Sequence, residues 1–296
     1  MSLLTADATL RDAYGSSQFG LSFELFPPKT EAGERALARH VARLVEFGPS
    51  FMTCTYGAGG STRGKTLDII AQVHADYGLP VATHLTCVGH TADELRAYLQ
   101  EANDRGVHNV VALRGDPPHG ESEFRQTDGG FRYANELVAM IRSDFPEMGI
   151  AVGGYPEVHQ EAPDRRSDLE NLKRKVDAGA DVIITQLFYD NEDFYRFRDD
   201  CDELGVDAAI IPGLLPVTNL SQVKRITSLC GSRLPEAFSA ALESAADEQE
   251  QFERGVEFAI EQTQQLMDRG VPGVHFYVLN KSEATSRVLQ AVTRPA

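Results

Sequence analysis

The sequence predicts an α/β protein, a closed (β/α)8 TIM barrel with an extra helical insertion before the last strand. Three observations carry this. Short apolar runs alternate with segments whose apolar positions recur every three or four residues. The alternation is counted eight times, the number that closes a parallel barrel, with an open doubly wound sheet as the rival. No Pro/Gly/Ser-rich linker divides the 296 residues, so residues 1–296 are read as a single barrel domain.

After a short polar lead, "GLSFELF" alternates as a strand and "EAGERALARHVARLVEFG" has helical spacing. The change recurs in "SFMTCTYG" and "RGKTLDIIAQVHADYG", "PVATHLTC" and "TADELRAYLQEANDRG", and "HNVVALRGD" and "YANELVAMIRSDF". The second half continues with "GIAVGGYP" and "SDLENLKRKVDAG", then "DVIITQLFYD" and "EDFYRFRDDCDELG". It closes with "AAIIPGLLP" and "NLSQVKRITSLCG", and "GVHFYVLN" and "SEATSRVLQAV". Between the last two units, residues 234–270 form an acidic helical region that reads as an insertion with a solvated face.

Apolar residues at 42% and charged residues at 24% suffice for a sizeable core. The 44 acidic against 28 basic side chains give −16, which repels phosphate backbones and argues against nucleic-acid binding. An anionic ligand therefore needs a local basic pocket. Cys54, Cys87, Cys201 and Cys230 have no CxxC spacing, so neither a zinc site nor a disulfide framework is expected. No basic leader and no run approaching ~18 apolar residues is present, which suggests a soluble, cytoplasmic protein without a membrane partner. A homo-oligomer is compatible with these features.

"GAGGST", Gly57 to Thr62, follows a strand and precedes a helix, but Thr62 stands where a dinucleotide fingerprint needs its third glycine. It reads either as a tight turn or as a phosphate- or cofactor-facing loop at the barrel mouth.

Strand alternation puts Leu21, Phe23 and Leu25 on the face under the helices and Ser22, Glu24 and Phe26 on the other. Glu24 thus points into the barrel near its carboxyl-terminal end, where active sites of this architecture sit. Lost hydration should raise its pKa and make it a candidate general acid; the alternative is a buried pair with Arg or Lys. Asp116 and Gln186 also fall at strand ends, where each could instead serve a local turn or loop. His84 and His159 lie at or just past strand ends, and core histidines are the alternative. Neither has metal-ligand spacing. Arg165, Arg166, Lys173, Arg174 and Lys175 form a basic run that is either a solvated helix face or a set of anion contacts.

The ordered motifs "SFELFPP", "TYGAGGSTR", "HLTC", "ALRGDPP", "YPEVH", "NLKRKVDAGAD", "ITQLFYD", "IIPGLLPVTN" and "HFYVLN" together resemble the methylenetetrahydrofolate reductase family, from about Phe19 to about Asn280. The resemblance implies an FAD-containing barrel that reduces 5,10-methylenetetrahydrofolate to 5-methyltetrahydrofolate with a nicotinamide nucleotide, NADH or NADPH, as hydride source. It implies that Glu24 is the general acid that protonates folate N10 and opens the ring to an iminium. Asp116 would then stabilise that cation and tune the flavin, while Gln186 would hydrogen-bond the pterin. For FAD it implies Thr55, Ala58, His84, Arg114, Gly115, Asp116, Ala134, Tyr155 and His159, with Asp168, Asn171, Arg174 and Lys175 on the following helix.

Two substrate-binding positions depart from the bacterial pattern. Leu220 stands where an aromatic often stacks on nicotinamide or aminobenzoate, and Lys281 where an arginine often binds substrate. No counterpart of the carboxyl-terminal regulatory domain of eukaryotic relatives is expected after the barrel. Two other readings compete: a cofactor-free barrel hydrolase using Glu24 and Asp116, and a non-catalytic flavin-binding protein.

Overall fold

The computed structural model describes residues 4–15, 18–55, 63–117 and 124–295. Ala58 and the glycine-rich loop Gly57 to Thr62 lie outside them. The wall begins with β1 (Gly20–Leu25), α2 (Glu31–Val45), β2 (Phe51–Cys54), α3 (Arg63–Tyr77), β3 (Val81–Thr86), α4 (Ala92–Asp104), β4 (Asn109–Leu113) and α5 (Ala134–Asp144). It continues with β5 (Gly149–Gly154), α6 (Arg165–Asp177), β6 (Val182–Thr185), α7 (Asn191–Leu204), β7 (Ala209–Ile211) and β8 (Gly213–Leu214). Three helices, α8 (Leu220–Cys230), α9 (Glu236–Glu243) and α10 (Glu248–Asp268), precede β9 (Gly273–Tyr277) and α11 (Glu283–Ala291). A short α1 (Leu10–Gly15) comes before them all.

The strands pair in parallel in the order β7-β6-β5-β4-β3-β2-β1-β9-β8. β7 and β8 are halves of one extended run that flanks Pro212, which has no N–H to give to a ladder. One half pairs with β6 and the other with β9, and Pro212 O accepts from His275 N at 3.0 Å. The two ends of the sheet are therefore one strand, and the barrel closes there as expected.

The period-2 alternation read along β1 holds. Leu21, Phe23 and Leu25 join the outer layer under the helices, while Ser22 and Glu24 turn inward. The inner layer at the amino-terminal end is apolar: Phe51, Ala82, Val111, Ala151, Val182 and Ile211. It is closed by α1, which the sequence reading had passed over as a polar lead. Leu10, Ala13 and Tyr14 are buried against it. Any Cβ at Gly20 or Gly273 would fall within 2.6 Å of the Tyr14 ring, so these glycines make room for the plug.

The extra helices before the last strand divide differently from the sequence expectation. α10 packs between α7 and α11 and buries Val256, Ala259, Leu266 and Met267 in the outer core. It is therefore a wall helix, and its acidic residues form the outer stripe. α8, expected in the wall, instead joins α9 over the rim in a separate apolar cluster with Leu187, Tyr189, Leu215 and Val217. Among the described residues, no helix is long and apolar enough to cross a membrane.

Candidate active site

Glu24 is paired in register with Thr53 of β2 and Tyr277 of β9, near the carboxyl ends of all three strands. It is 9% exposed. Among the described side chains its ion-pair-range neighbours are two imidazoles: His84 Nε2 at 3.4 Å and His275 Nε2 at 4.0 Å from Oε2. No described lysine or arginine compensates its charge, so the Lys/Arg-paired alternative is not what the described residues build. Burial pushes the carboxyl up to about 8, and the same burial pushes both imidazoles down to about 3. At neutral pH the three groups are therefore uncharged, with a proton on Glu24.

His84, expected at the flavin, is buried in this layer, and its Nε2 also lies 3.3 Å from Thr53 Oγ1. Tyr277 spans the mouth and donates to Thr185 O at 2.7 Å. Gly213 lies beneath it, where any Cβ would come within 2.7 Å of its ring. His275 and Tyr277 escaped the sequence reading although the signal was present: in "GVHFY" they alternate with outward Val274 and Phe276, by the parity that placed Glu24.

Asp116 is exposed just past β4. Asp116 and Glu24 both lie close enough to the Cys230 thiol at the end of α8 to raise its pKa when ionised. Arg114 forks onto Glu161 and lies over Phe124. Thr55 follows β2, with its N donating to Leu25 O, and Gly115 takes a positive φ of 87° between Arg114 and Asp116. Gln186 follows β6 and accepts Leu187 N–H with Oε1. Ala134 opens α5 and is half-buried.

A second group forms between β5 and α6. Tyr155 and His159 meet edge to face at 4.6 Å, and Asp168 accepts His159 N at 3.0 Å. Val158, β-branched, is held at φ 106°, a left-handed conformation that such residues rarely adopt. Asp168, Asn171, Arg174 and Lys175 share one stripe of α6, by i, i+3, i+6 and i+7 spacing. Helical side chains lean toward the amino terminus, so Lys175 reaches back to Gly153 O at 2.5 Å and lies 6.0 Å from the centre of the Tyr155 ring. Burial of its ammonium lowers its pKa to about 8, against the pull of Asp168.

The basic run thus separates into two classes. Arg165 pairs with Asp200, Arg166 with Glu170 and Lys173 with Asp177. Arg174 bonds only the neutral Asn171, at 2.8 Å, and Lys175 only a carbonyl. Among the described residues, neither has a carboxylate within ion-pair distance. Two uncommitted cations beside an aromatic and a carboxylate fit the pyrophosphate and ribose of a dinucleotide such as FAD.

Leu220 opens α8, is half-buried in the rim cluster and gives its N–H to Gln251. Lys281 is exposed and lines a cleft with residues 215–219, α8 and Tyr277. Asn280 ties this edge to β1, donating to Phe26 O at 2.6 Å and accepting Phe26 N–H at 2.8 Å.

Comparison with known proteins agrees with this architecture. The family model for methylenetetrahydrofolate reductase matches residues 9–293. Methylenetetrahydrofolate reductase (NADH) 1 of Arabidopsis thaliana is 40% identical over 92% of this chain and 48% of its own length. The chain thus spans about half the length of the plant relatives it matches. The 5,10-methylenetetrahydrofolate reductase of Escherichia coli K12 is 39% identical over 93% of each chain. A Clostridium thermocellum protein that binds two copies of 5-methyl-5,6,7,8-tetrahydrofolic acid shares the fold at TM-score 0.63. It is 15% identical, and the match covers 96% of this chain and 98% of that one.

Proposed function

The chain belongs to the methylenetetrahydrofolate reductase family, and from that premise we propose that it is a flavin-dependent oxidoreductase of one-carbon metabolism. It interconverts 5,10-methylenetetrahydrofolate and 5-methyltetrahydrofolate with NADH or NADPH as hydride partner, within one catalytic barrel. The observation that carries this reading is Glu24: a carboxyl at the mouth that keeps its proton near neutrality because it is buried beside neutral imidazoles.

Reductive opening of the folate's five-membered ring needs a proton on the departing nitrogen, and an acid with a pKa near the working pH is suited to deliver it. Glu24 supplies that proton. Asp116, exposed on the same mouth, favours the positive charge that develops as the ring opens. Gln186 uses its amide N–H bonds to orient the pterin, since Oε1 is engaged by Leu187. Thr55, Ala58, His84, Arg114, Gly115, Ala134, Tyr155, His159, Asp168 and Asn171 would line the flavin site, with Arg174 and Lys175 against pyrophosphate. When bound, FAD supplies the two-electron hydride exchange between nucleotide and folate. Lys281, on the α8 cleft, and Leu220, at the start of α8, would contact the nucleotide or the folate tail.

The test is to reconstitute the protein with FAD and reduce it anaerobically with NADH or NADPH, then add 5,10-methylenetetrahydrofolate. Bleaching by a nucleotide and recovery of the flavin spectrum with folate is expected. A folded protein that binds no flavin overturns the reading, and so does one whose reduced flavin is not reoxidised by folate.

A further inference from the structure

Beneath Glu24 lies a chain of buried polar groups that neither the fold nor the proton donation described above accounts for. Tyr14 OH lies 2.8 Å from Ser22 Oγ, and Ser22 Oγ lies 2.8 Å from His275 Nδ1. The other ring nitrogen, Nε2, lies 4.0 Å from Glu24 Oε2. Ser22 and His275 are register partners on β1 and β9, and Tyr14 reaches them from the α1 plug. All three side chains are 5% exposed or less.

Counting protons favours one direction of this chain. Among the described residues, Ser22 Oγ is the acceptor within reach of the Tyr14 hydroxyl, whose pKa burial raises, so it remains a donor at all working pH values. If Tyr14 donates to Ser22, Ser22 can donate to His275 Nδ1, and the neutral ring then carries its proton on Nε2, facing Glu24. In the opposite direction Nδ1–H donates to Ser22. If Ser22 then donates to Tyr14, the Tyr14 proton is buried without an acceptor, a cost of about 1–3 kcal/mol; if Ser22 instead accepts from both neighbours, its own proton reaches only Val274 O at 3.5 Å, the limit of hydrogen-bond distance. Stacking of the His275 ring on Phe51, 6.2 Å between centres and 20° between planes, opposes a ring flip.

We infer that Tyr14 and Ser22 lock His275 in its Nε2–H tautomer, and that His275 is a positioning residue whose N–H, aimed at Glu24, sets the proton affinity of that carboxyl. The inference rests on reading Glu24 as the proton donor. An N–H dipole directed at a carboxylate favours its charged form, so His275 opposes the desolvation that raises Glu24 and keeps the proton transferable. The other titratable groups that face Glu24 are His84 on β3, Cys54 on β2, Tyr277 on β9 and Cys230 on α8. None of them is bonded to the Tyr14–Ser22 chain.

Two measurements test this without any folate. In protein labelled with 15N-histidine, His275 should show an unprotonated Nδ1 and a protonated Nε2 from pH 6 to pH 9; an Nδ1–H tautomer overturns the inference, and no variant is needed to see it. In protein labelled with 13C at the glutamate carboxyl, the Glu24 signal, identified by its loss in Glu24→Gln, gives the titration midpoint. His275→Asn, whose amide reaches only toward Ser22, should raise that midpoint by about one unit, a tenfold gain in proton affinity. His275→Gln, whose amide nitrogen can stand where Nε2 stands, should bring most of the shift back. An unmoved midpoint in His275→Asn, or equal shifts in both variants, overturns the inference. Failure of folate turnover with these signals intact would sink the functional reading and leave the tautomer lock standing.

Discussion

The two ends of the barrel interior resolve opposite problems. At the amino-terminal end α1 seals the barrel, and its polar neighbour Asn109 is fully used: Oδ1 accepts Leu10 N–H at 2.9 Å, while Nδ2 donates to Ala8 O and Val81 O. At the carboxyl-terminal end Glu24 has two uncharged imidazoles and no described cation. A buried polar group with all its partners contributes rigidity, whereas one held without a counter-charge stores a displaced pKa. One end is built for stability, and the other, on the proposed function, for proton chemistry at some cost in stability.

The largest expected effect would break that contrast at the upper end. Glu24→Gln should slow folate reduction by about 10²–10⁴-fold while leaving flavin reduction by nucleotide nearly intact, since only the folate step needs the proton. Stopped-flow measurement of the two half-reactions checks this, and equal losses would refute it. In the parent the folate step should fall off as pH rises through about 8, where Glu24 loses its proton. Stability should decline in the same direction, beginning at lower pH. Between the ordinary carboxylate range and about 8 the folded protein keeps a proton that the unfolded chain releases, so parental stability declines as pH rises through that window. Glu24→Gln removes the decline, and urea titrations at pH 5 and pH 9 should show it gaining on the parent by on the order of 3 kcal/mol.

The lower end should show the mirror image. Leu10 is fully buried in the plug, so Leu10→Ala should cost about 2–5 kcal/mol in urea unfolding while changing the folate rate less than about twofold. A rate loss as large as that of Glu24→Gln would mean the two ends are not separable. A smaller effect is expected beside the mouth: Arg174→Ala or Lys175→Met should each weaken FAD binding about tenfold, by fluorescence titration. Arg166→Ala on the same helix already spends its charge on Glu170 and should change affinity less than about twofold. The smallest is Lys281→Arg, which should lower the folate KM by about threefold at unchanged kcat if a two-pronged contact with a carboxylate is what the exposed lysine lacks.

Much of the fold was legible because period-2 and period-3.6 patterns report which face is buried. The same parity that turned Glu24 inward also turned His275 and Tyr277 inward, and they were missed only because no catalytic expectation pointed at them. The basic run was legible as a choice between solvated face and anion contact. It resolved only when Arg165 met Asp200 on α7 and Arg174 met no carboxylate among the described residues, pairings between segments 35 residues apart or more in the first case. The exchange of roles between α8 and α10 was illegible for a related reason: both carry an apolar stripe, and helical spacing does not say which neighbour a stripe will cover.

By itself, then, the sequence determined the eight βα units, the inward parity of β1 and the local concentration of positive charge, since each is written in residues near one another along the chain. The tertiary structure decided that the strands close through the two halves around Pro212 and that α1 plugs the lower end. It also decided that Glu24 faces neutral imidazoles rather than a cation. Those outcomes depend on Coulomb, hydrogen-bond and desolvation terms between groups as far apart as Ser22 and His275, separated by 253 positions, and such terms exist only once the chain has folded.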